Sequence, residues 1–492
     1  MNNCQISIKY LNIIIIILTP ALCWCQYFYQ TYPEEKSATF YSIIDHKNSV
    51  FISTGKICEL WECSEVTQFD YLGNQIWNTE FINTDVGSAT LLLLNDTLYV
   101  GGNYNPGEAK SVINRMTLDG SVIDEQIYSD PLNRISASLV NHLISDNKVL
   151  FFNGQGYMND ESKALMYSVN KSMELNVFYL DSIEDLSVVF DSHVGPDSLL
   201  TSFIIENGFS APRNRRRIEK YDQDLNLVWK YQPPDSLLFL GNDIHLYGTV
   251  LNNGNIFFSY YKFGWNDRLP NLRCIDTVSK QTKWEYDFPN INSYKRQALR
   301  TKELKNGDIL ISGQYATLAS NPRIRNSPWL MRIDKLGNKK WERAFVEIAA
   351  DGQDKTGALW DAMELDNGDI MACGFVINNN KQDPLLIRTD ADGCIDQGQA
   401  NCPTVQTIDL MTGAVDEIGE SISINPNPAS TYITIDAPSR SVYTIYNLSG
   451  QEMMTGEVDD INLDISHLGT GLYLLRVIDN GGHIYNHKLQ KL

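Results

Sequence analysis

The sequence has little histidine and a deficit of positive charge. Seven His stand at positions 46, 142, 193, 245, 467, 483 and 487 of 492 residues. No HExxH or equivalent motif is present, which excludes that class of zinc hydrolase. There is no CxxC, no adjacent Cys pair and no CxxCH, so neither a zinc knuckle nor a covalent haem site can be written. A Gly-x-Ser-x-Gly elbow and a phosphate-cradling glycine loop are also missing. Forty Lys+Arg face 60 Asp+Glu for a net charge of -20, a field that repels nucleic acid and anionic membrane surfaces. After residue 22 no apolar run approaches the roughly 18 residues of a membrane helix, so neither nucleic acid nor a transmembrane segment is expected. Asp390-Ala391-Asp392-Gly393 lacks the closing bidentate Glu of a calcium loop. Such Asp side chains are expected to bond their own turn backbone. No catalytic, cofactor or metal residue is assigned.

What is present is ordinary globular composition, 43% hydrophobic and 20% charged, with an export signature at the start. Lys9 precedes the apolar stretch Leu11 to Leu22, and Cys23 and Cys25 occupy the -3 and -1 positions before Gln26. Residues 1–25 read as a secretory signal peptide. A lipoprotein signal would need Gly, Ala or Ser before the modified Cys, where Leu22 and Trp24 stand. Removing the signal leaves Cys58, Cys63, Cys274, Cys373, Cys394 and Cys402, an even number in an oxidising compartment. The short spacings make Cys58/Cys63 and Cys394/Cys402 disulfide candidates. Cys274 and Cys373 sit in strand-like runs and read equally as buried hydrophobes or as a bridge.

The chain repeats itself. DYLGNQIWNTEF at Asp70, DKLGNKKWERAF at Asp334 and, more loosely, DQDLNLVWKYQ at Asp222 share a turn followed by an aromatic strand, and DTVSKQTKWEYDF at Asp276 carries one extra residue. Degenerate copies start at Thr117 and Asn170, and DADGCIDQG at Asp390 is cut short. Each copy is preceded by a second turn between apolar runs: NNGNIFF at Asn252, KNGDILI at Lys305, DNGDIMA at Asp366, and related turns at His46, Asn95, Ser145 and Gly195. Asn-Gly between apolar runs predicts a type I′ hairpin with positive φ at both central residues. Seven units of about 50 residues with four antiparallel strands each predict a seven-bladed β-propeller over residues 26–405. The seventh unit lacks its last strand, and Tyr27 to Tyr32 is expected to supply it and close the ring.

The Asp-x-x-Gly-x-x-x-Trp repeats resemble those of secreted bacterial relatives of the pyrroloquinoline-quinone-type and WD-like propellers. That resemblance speaks to architecture, because propellers host many unrelated activities. Residues from about Asp396 lose the period and turn polar and acidic; 406–419 read as a linker. Beyond it, residues 420–492 form a compact all-β unit. Pro426, Asn427 and Pro428, then Asn447 and Gly450 in YNLSG, Gly471 and Tyr473 in GLY, and Lys488 and Lys491 at the end follow the order and spacing of the C-terminal sorting domain of Bacteroidetes type IX secretion cargo, which the segment resembles. The resemblance implies an Ig-like sandwich, the type IX translocon as a partner, delivery to the outer-membrane surface or medium, and removal of the domain on arrival.

The expected whole is an all-β, non-catalytic recognition scaffold that binds a protein or glycan through its propeller loops. The alternative is an extracellular hydrolase or lyase with its site in the propeller funnel, which would need two or three carboxylates and a His clustered at the funnel mouth. Two sequence features bear on a ligand. The basic run Arg213 to Arg217 suits an acidic or sulfated glycan but also a solvated loop. Tyr260, Tyr261, Phe263 and Trp265 suit sugar stacking but also an ordinary blade loop.

Overall fold

The computed structural model describes residues 27–492 apart from short stretches, the longest being 130–141, 234–245 and 409–422; residues 1–26, and with them the expected signal, lie outside the described residues. No helix occurs among the described residues. The chain divides into two compact units, one up to Thr407 and one from Ile408.

The first unit is a seven-bladed β-propeller. Blades 1 to 6 are antiparallel sheets of four consecutive strands. Their first strands are Ala38–His46, Thr84–Leu94, His142–Ser145, Ser187–Val194, Leu246–Val250 and Tyr294–Glu303. Blade 7 takes Gly357–Glu364, Ile370–Asn378 and Lys381–Thr389, and its outer strand is Phe28–Thr31 from the other end of the chain. Phe28 pairs with Arg388 and Thr31 with Leu385, so the aromatic segment Tyr27 to Tyr32 closes the ring as its sequence suggested. First strands pack against first strands in succession, blade 7 against blade 1 included, and so form the inner wall.

Blade strands read as continuous apolar runs because both faces are buried. In blade 5, Ile256 and Phe258 pack towards blade 4, while Phe257 between them packs towards blade 6. Successive side chains point to opposite faces of a strand, so IFF serves two interfaces at once.

The turns depart from expectation. At the Asn-Gly sites only the glycine has positive φ, as at Gly254, Gly307 and Gly368. The preceding Asn uses its side chain instead: Asn253, Asn306 and Asn367 accept the amide two residues on. The two-residue turns with both φ positive are Lys47-Asn48, Asn95-Asp96 and Asn379-Asn380, with no glycine. A longer turn with a glycine bulge therefore competes successfully with the type I′ hairpin wherever Asn can cap it.

The polar segment after blade 7 is not wholly linker. Val405–Ile408 adds a fifth strand outside Lys339–Glu347 of blade 6, anchored where the Ala344 amide donates to Thr404 O. The unpaired edge of blade 6 offered backbone hydrogen bonds that composition alone does not reveal. Cys394 is bonded to Cys402 ahead of this strand, and Cys58, just after the second strand of blade 1, to Cys63 on the third. Cys274 and Cys373 are free and buried.

The second unit is an Ig-like sandwich. Ser423–Asn425, Tyr432–Asp436 and Leu463–Asp464 form one sheet; Glu452–Glu457, Val442–Asn447, Gly471–Ile478 and Ile484–Lys491 form the other. Ile424, Ile433 and Ile435 pack with Tyr443, Ile445, Leu475, Val477 and Leu489 in the core.

Candidate functional site

The propeller axis is where an enzyme of this shape would place its chemistry. Five first strands are bulged near the middle, at Phe40/Ser42, Asp85/Thr90, Val189/Asp191, Ala298/Arg300 and Leu359/Asp361. A bulge re-aims the residues around it. Bulged residues Tyr41 and Trp360 lie with ring centroids 5.7 Å apart, and Leu299 joins a cluster with Tyr247 and Trp360. The residues after three of the bulges are Asp191, Arg300 and Asp361. Asp191 is fully buried; its carboxylate accepts from the Ser192 amide at 3.0 Å and from the Gly248 amide of blade 5 at 3.2 Å. Asp361 repeats the arrangement, accepting from Ala362 at 2.9 Å and from Ile43 of blade 1 at 3.1 Å. Arg300 lies 3.3 Å from Asp191 and Lys302 lies 2.8 Å from Asp361.

Two carboxylates thus meet two cations, and each carboxylate also binds the backbone of the next blade. His193 Nε2 stands 3.2 Å from Asp191, so the axis holds the residue types of a general acid–base site. Each carboxylate, however, already accepts two backbone amides and lies against a cation of another strand. Burial pushes the Tyr247 hydroxyl up to about 12, away from proton transfer near neutrality. Burial pushes the Cys274 thiol up to about 12 and the Cys373 thiol well above its usual value, so both stay protonated and unreactive. Sequence reasoning missed this ring of charges. The signal was available in Phe190-Asp191-Ser192 and Trp360-Asp361-Ala362, an Asp after an aromatic inside an apolar run.

The repeat motif is used between blades. Trp229, Trp284 and Trp341 donate Nε1–H to the turn carbonyls of Thr277, Lys335 and Ala391 in the following blade, at 2.9, 3.0 and 3.1 Å. Gly337 and Gly393 leave room for the rings; a Cβ on Gly337 would meet Trp284 at 2.8 Å. The turn Asp is spent on its own backbone as expected: Asp334 accepts from Leu336 and Asn338, Asp390 from Asp392 and Cys394. A cleft of about 400 Å³ between the turns of blades 6 and 7 is lined by Asp308, Arg332, Asp334, Lys340, Trp341 and Asp392. Arg332 pairs with Asp308 at 2.8 Å and donates to Ala391 O, so this cleft is the latch seen from outside.

Two ligand expectations are corrected. Arg216 and Arg217 are not in a solvated loop; they lie on the strand Arg215–Tyr221 and are each only 5% exposed. Arg217 pairs with Glu219 at 3.2 Å, and the Arg216 guanidinium sits 5.3 Å from the centre of the Tyr260 ring. Pairing in register with the strand Leu200–Glu206 draws both into the blade. Tyr260 is 1% exposed in the core between blades 4 and 5, with Arg273 on its ring as well. Arg213, Phe263 and Trp265 lie outside the described residues, as do the side chains of Arg215 and Tyr261.

In the sandwich, Pro426, Asn427 and Pro428 form an exposed turn. Asn447 pairs in register with Tyr473, and Gly471 with Lys491. The Tyr473 hydroxyl donates to Gly469 O at 2.9 Å. Lys488 is on the final strand, Lys491 Nζ donates to Leu492 O at 2.8 Å, and Gly450 lies outside the described residues. The Gln490 amide donates to Asn427 Oδ1 at 2.9 Å, the Ala429 amide to Gln490 O at 2.9 Å, and the Leu492 amide to Ala429 O at 2.8 Å. The end of the last strand is therefore not an open edge; the Pro-Asn-Pro turn occupies it.

The family described as the secretion system C-terminal sorting domain matches residues 423–491. No curated protein sequence matches the chain. Among solved structures, the polysaccharide lyase Uly1 is 11% identical, with 75% of this chain and 92% of that one covered and a TM-score of 0.45. A protein of unknown function from Dyadobacter fermentans is 9% identical over 74% and 99% at 0.41. An α-L-arabinanase of Penicillium chrysogenum with arabinobiose is 12% identical over 63% and 97% at 0.40. Scores this low carry no argument about activity, and among the described residues no helix is long and apolar enough to cross a membrane. Residues 423–491 are a type IX secretion sorting domain, which directs the propeller before it to the cell surface or the medium.

Proposed function

We propose that the propeller is a non-catalytic recognition scaffold that binds a protein or glycan through its loops. The observation that carries this reading is the commitment of Asp191 and Asp361 to backbone amides of the next blade and to Arg300 and Lys302. In an acid–base site the carboxylate faces the substrate, whereas these acids face the amides of the next blade and a neighbouring cation. The tight-turn face is similarly taken up by its own Asp caps and Trp latches. That leaves the opposite ends of the strands for a ligand.

The test is a glycan and protein array probed with the purified mature chain, run beside a depolymerisation assay on the bound polymers. Saturable binding without product release is expected. Turnover of a polymer that is lost in His193→Ala would overturn the reading in favour of a hydrolase or lyase.

A further inference from the structure

The Asn-Gly turns of blades 5, 6 and 7 fold alike and are held differently. Asn253, Asn306 and Asn367 are all exposed, and the glycine amide that follows each donates to a main-chain carbonyl, Gly254 to Leu251, Gly307 to Leu304 and Gly368 to Leu365. In each turn Asn Oδ1 accepts the amide two residues on, at 3.0, 3.0 and 3.1 Å. The side-chain nitrogens differ. Asn306 Nδ2 donates to Asp308 Oδ2 at 3.0 Å and Asn367 Nδ2 to Asp369 Oδ2 at 2.8 Å, and Arg332 and Arg388 pair with those carboxylates in turn. Blade 5 has Asn255 in the place of Asp308 and Asp369, and among the described residues nothing holds Asn253 Nδ2.

An Asn side chain ahead of glycine is open to attack by the next main-chain nitrogen, because glycine has no Cβ to obstruct the approach. The Gly254 nitrogen gives up its proton and bonds to Asn253 Cγ; the Cγ–Nδ2 bond breaks, and Nδ2 leaves with that proton as ammonia. Water then opens the cyclic imide at either carbonyl, to aspartate or isoaspartate. In blades 6 and 7 the same departure must first break a hydrogen bond to a charged acceptor, and the carboxylate opposes the negative charge that builds up on the attacking nitrogen. We propose that Asn253-Gly254 is a spontaneous modification site, at which Asn253 converts to aspartate and isoaspartate while the matching turns of blades 6 and 7 are protected. This is independent of what the propeller binds. Its effect reaches beyond the turn: Gly254 O accepts from Thr277 Oγ1 at 3.0 Å, and Thr277 O accepts from Trp229 Nε1 at 2.9 Å. Isoaspartate routes the main chain through the side-chain methylene, which displaces Gly254 and loosens the latch between blades 4 and 5.

The experiment is peptide mapping of the purified chain during incubation at mildly alkaline pH, below its melting temperature, with isoaspartate read by enzymatic methylation. Asn253 is expected to convert about tenfold faster than Asn306 or Asn367, the factor that one hydrogen bond to a charged acceptor supplies. Asp308→Asn, which leaves Arg332 an acceptor, should raise the rate at Asn306 towards that at Asn253. Chains modified at Asn253 should melt lower than fresh ones. Equal rates at the three turns would overturn the proposal, since they would mean reaction through general unfolding. An Asn306 rate that Asp308→Asn leaves unchanged would overturn it too, and modified chains that melt like fresh ones would overturn the link to the latch.

Discussion

At the residue scale the propeller depends on positions where one side chain serves two blades. Gly337 and Gly254 both have positive φ, but only Gly337 faces a neighbour, the Trp284 ring; Gly254 has open space. Gly254→Ala should cost only the backbone strain of a left-handed residue, about 1–2 kcal/mol. Gly337→Ala should cost clearly more, because the latch must also shift, and chemical denaturation of the pair separates the two contributions. Asp361 gives a second case. Replacing it with Ala leaves the Ile43 amide and Lys302 without their partner, and a loss of about 3 kcal/mol is expected; an unchanged midpoint would mean that solvent replaces the carboxylate at the axis. The turn acids add a pH term. The Ser279 hydrogen bonds hold the Asp276 carboxyl below its usual range, so its stabilising effect is present above the unfolded value of about 3.9 and disappears as pH falls through the lower folded value. The difference in melting temperature between the native chain and Asp276→Asn should be constant near neutrality and vanish at strongly acid pH. A difference that persists there would assign the effect to shape and not charge.

At the element scale the outer strands decide the ring. Deleting residues 27–32 removes the fourth strand of blade 7, together with the Tyr32 hydroxyl bond to Gly73 O at 2.7 Å and the Tyr29 contact with Glu347. It should lower the melting temperature sharply and promote association through the bared edge Lys381–Thr389, measurable by calorimetry and light scattering. An unchanged melt would show that blade 7 does not need its clasp. Much of this level was legible in the sequence. The spacing of Trp229, Trp284 and Trp341 announced the blades, and Tyr27 to Tyr32 announced the clasp, because a repeat makes a missing strand conspicuous. What escaped was set by pairing across distance. Val405–Ile408 is a four-residue run rich in β-branched residues, inside a polar stretch and outside the repeat, so only the blade 6 edge makes it a strand. Arg216 and Arg217 look like surface charges until the register with Leu200–Glu206 places them inside. The candidate site was less legible than the fold. The axial charges come from strands that are apart in sequence, and nothing in a single strand says that Asp191 will meet Arg300.

At the scale of the whole molecule the two units answer different questions, one of recognition and one of destination. Truncation before Ser421 keeps every strand of the seven blades and Val405–Ile408, so the remaining chain should fold, stay soluble and accumulate in the periplasm. Fractionation with limited proteolysis tests this; normal display of the truncated chain would refute it, and aggregation would show that the propeller cannot fold without its neighbour. The clasp has a further consequence, in time. Pairing Phe28 with Arg388 closes a loop of about 360 residues, with an entropic cost roughly 2 kcal/mol above that of closing a single 50-residue blade. Blades 1 to 6 contain all their strands in local order and can assemble as the chain emerges, whereas the first-made strand, Phe28–Thr31, must wait for blade 7, which is made last. The ring therefore acts as a clock: until the first-made segment meets the last-made blade, the molecule remains an open arc with the edge of Lys381–Thr389 bare.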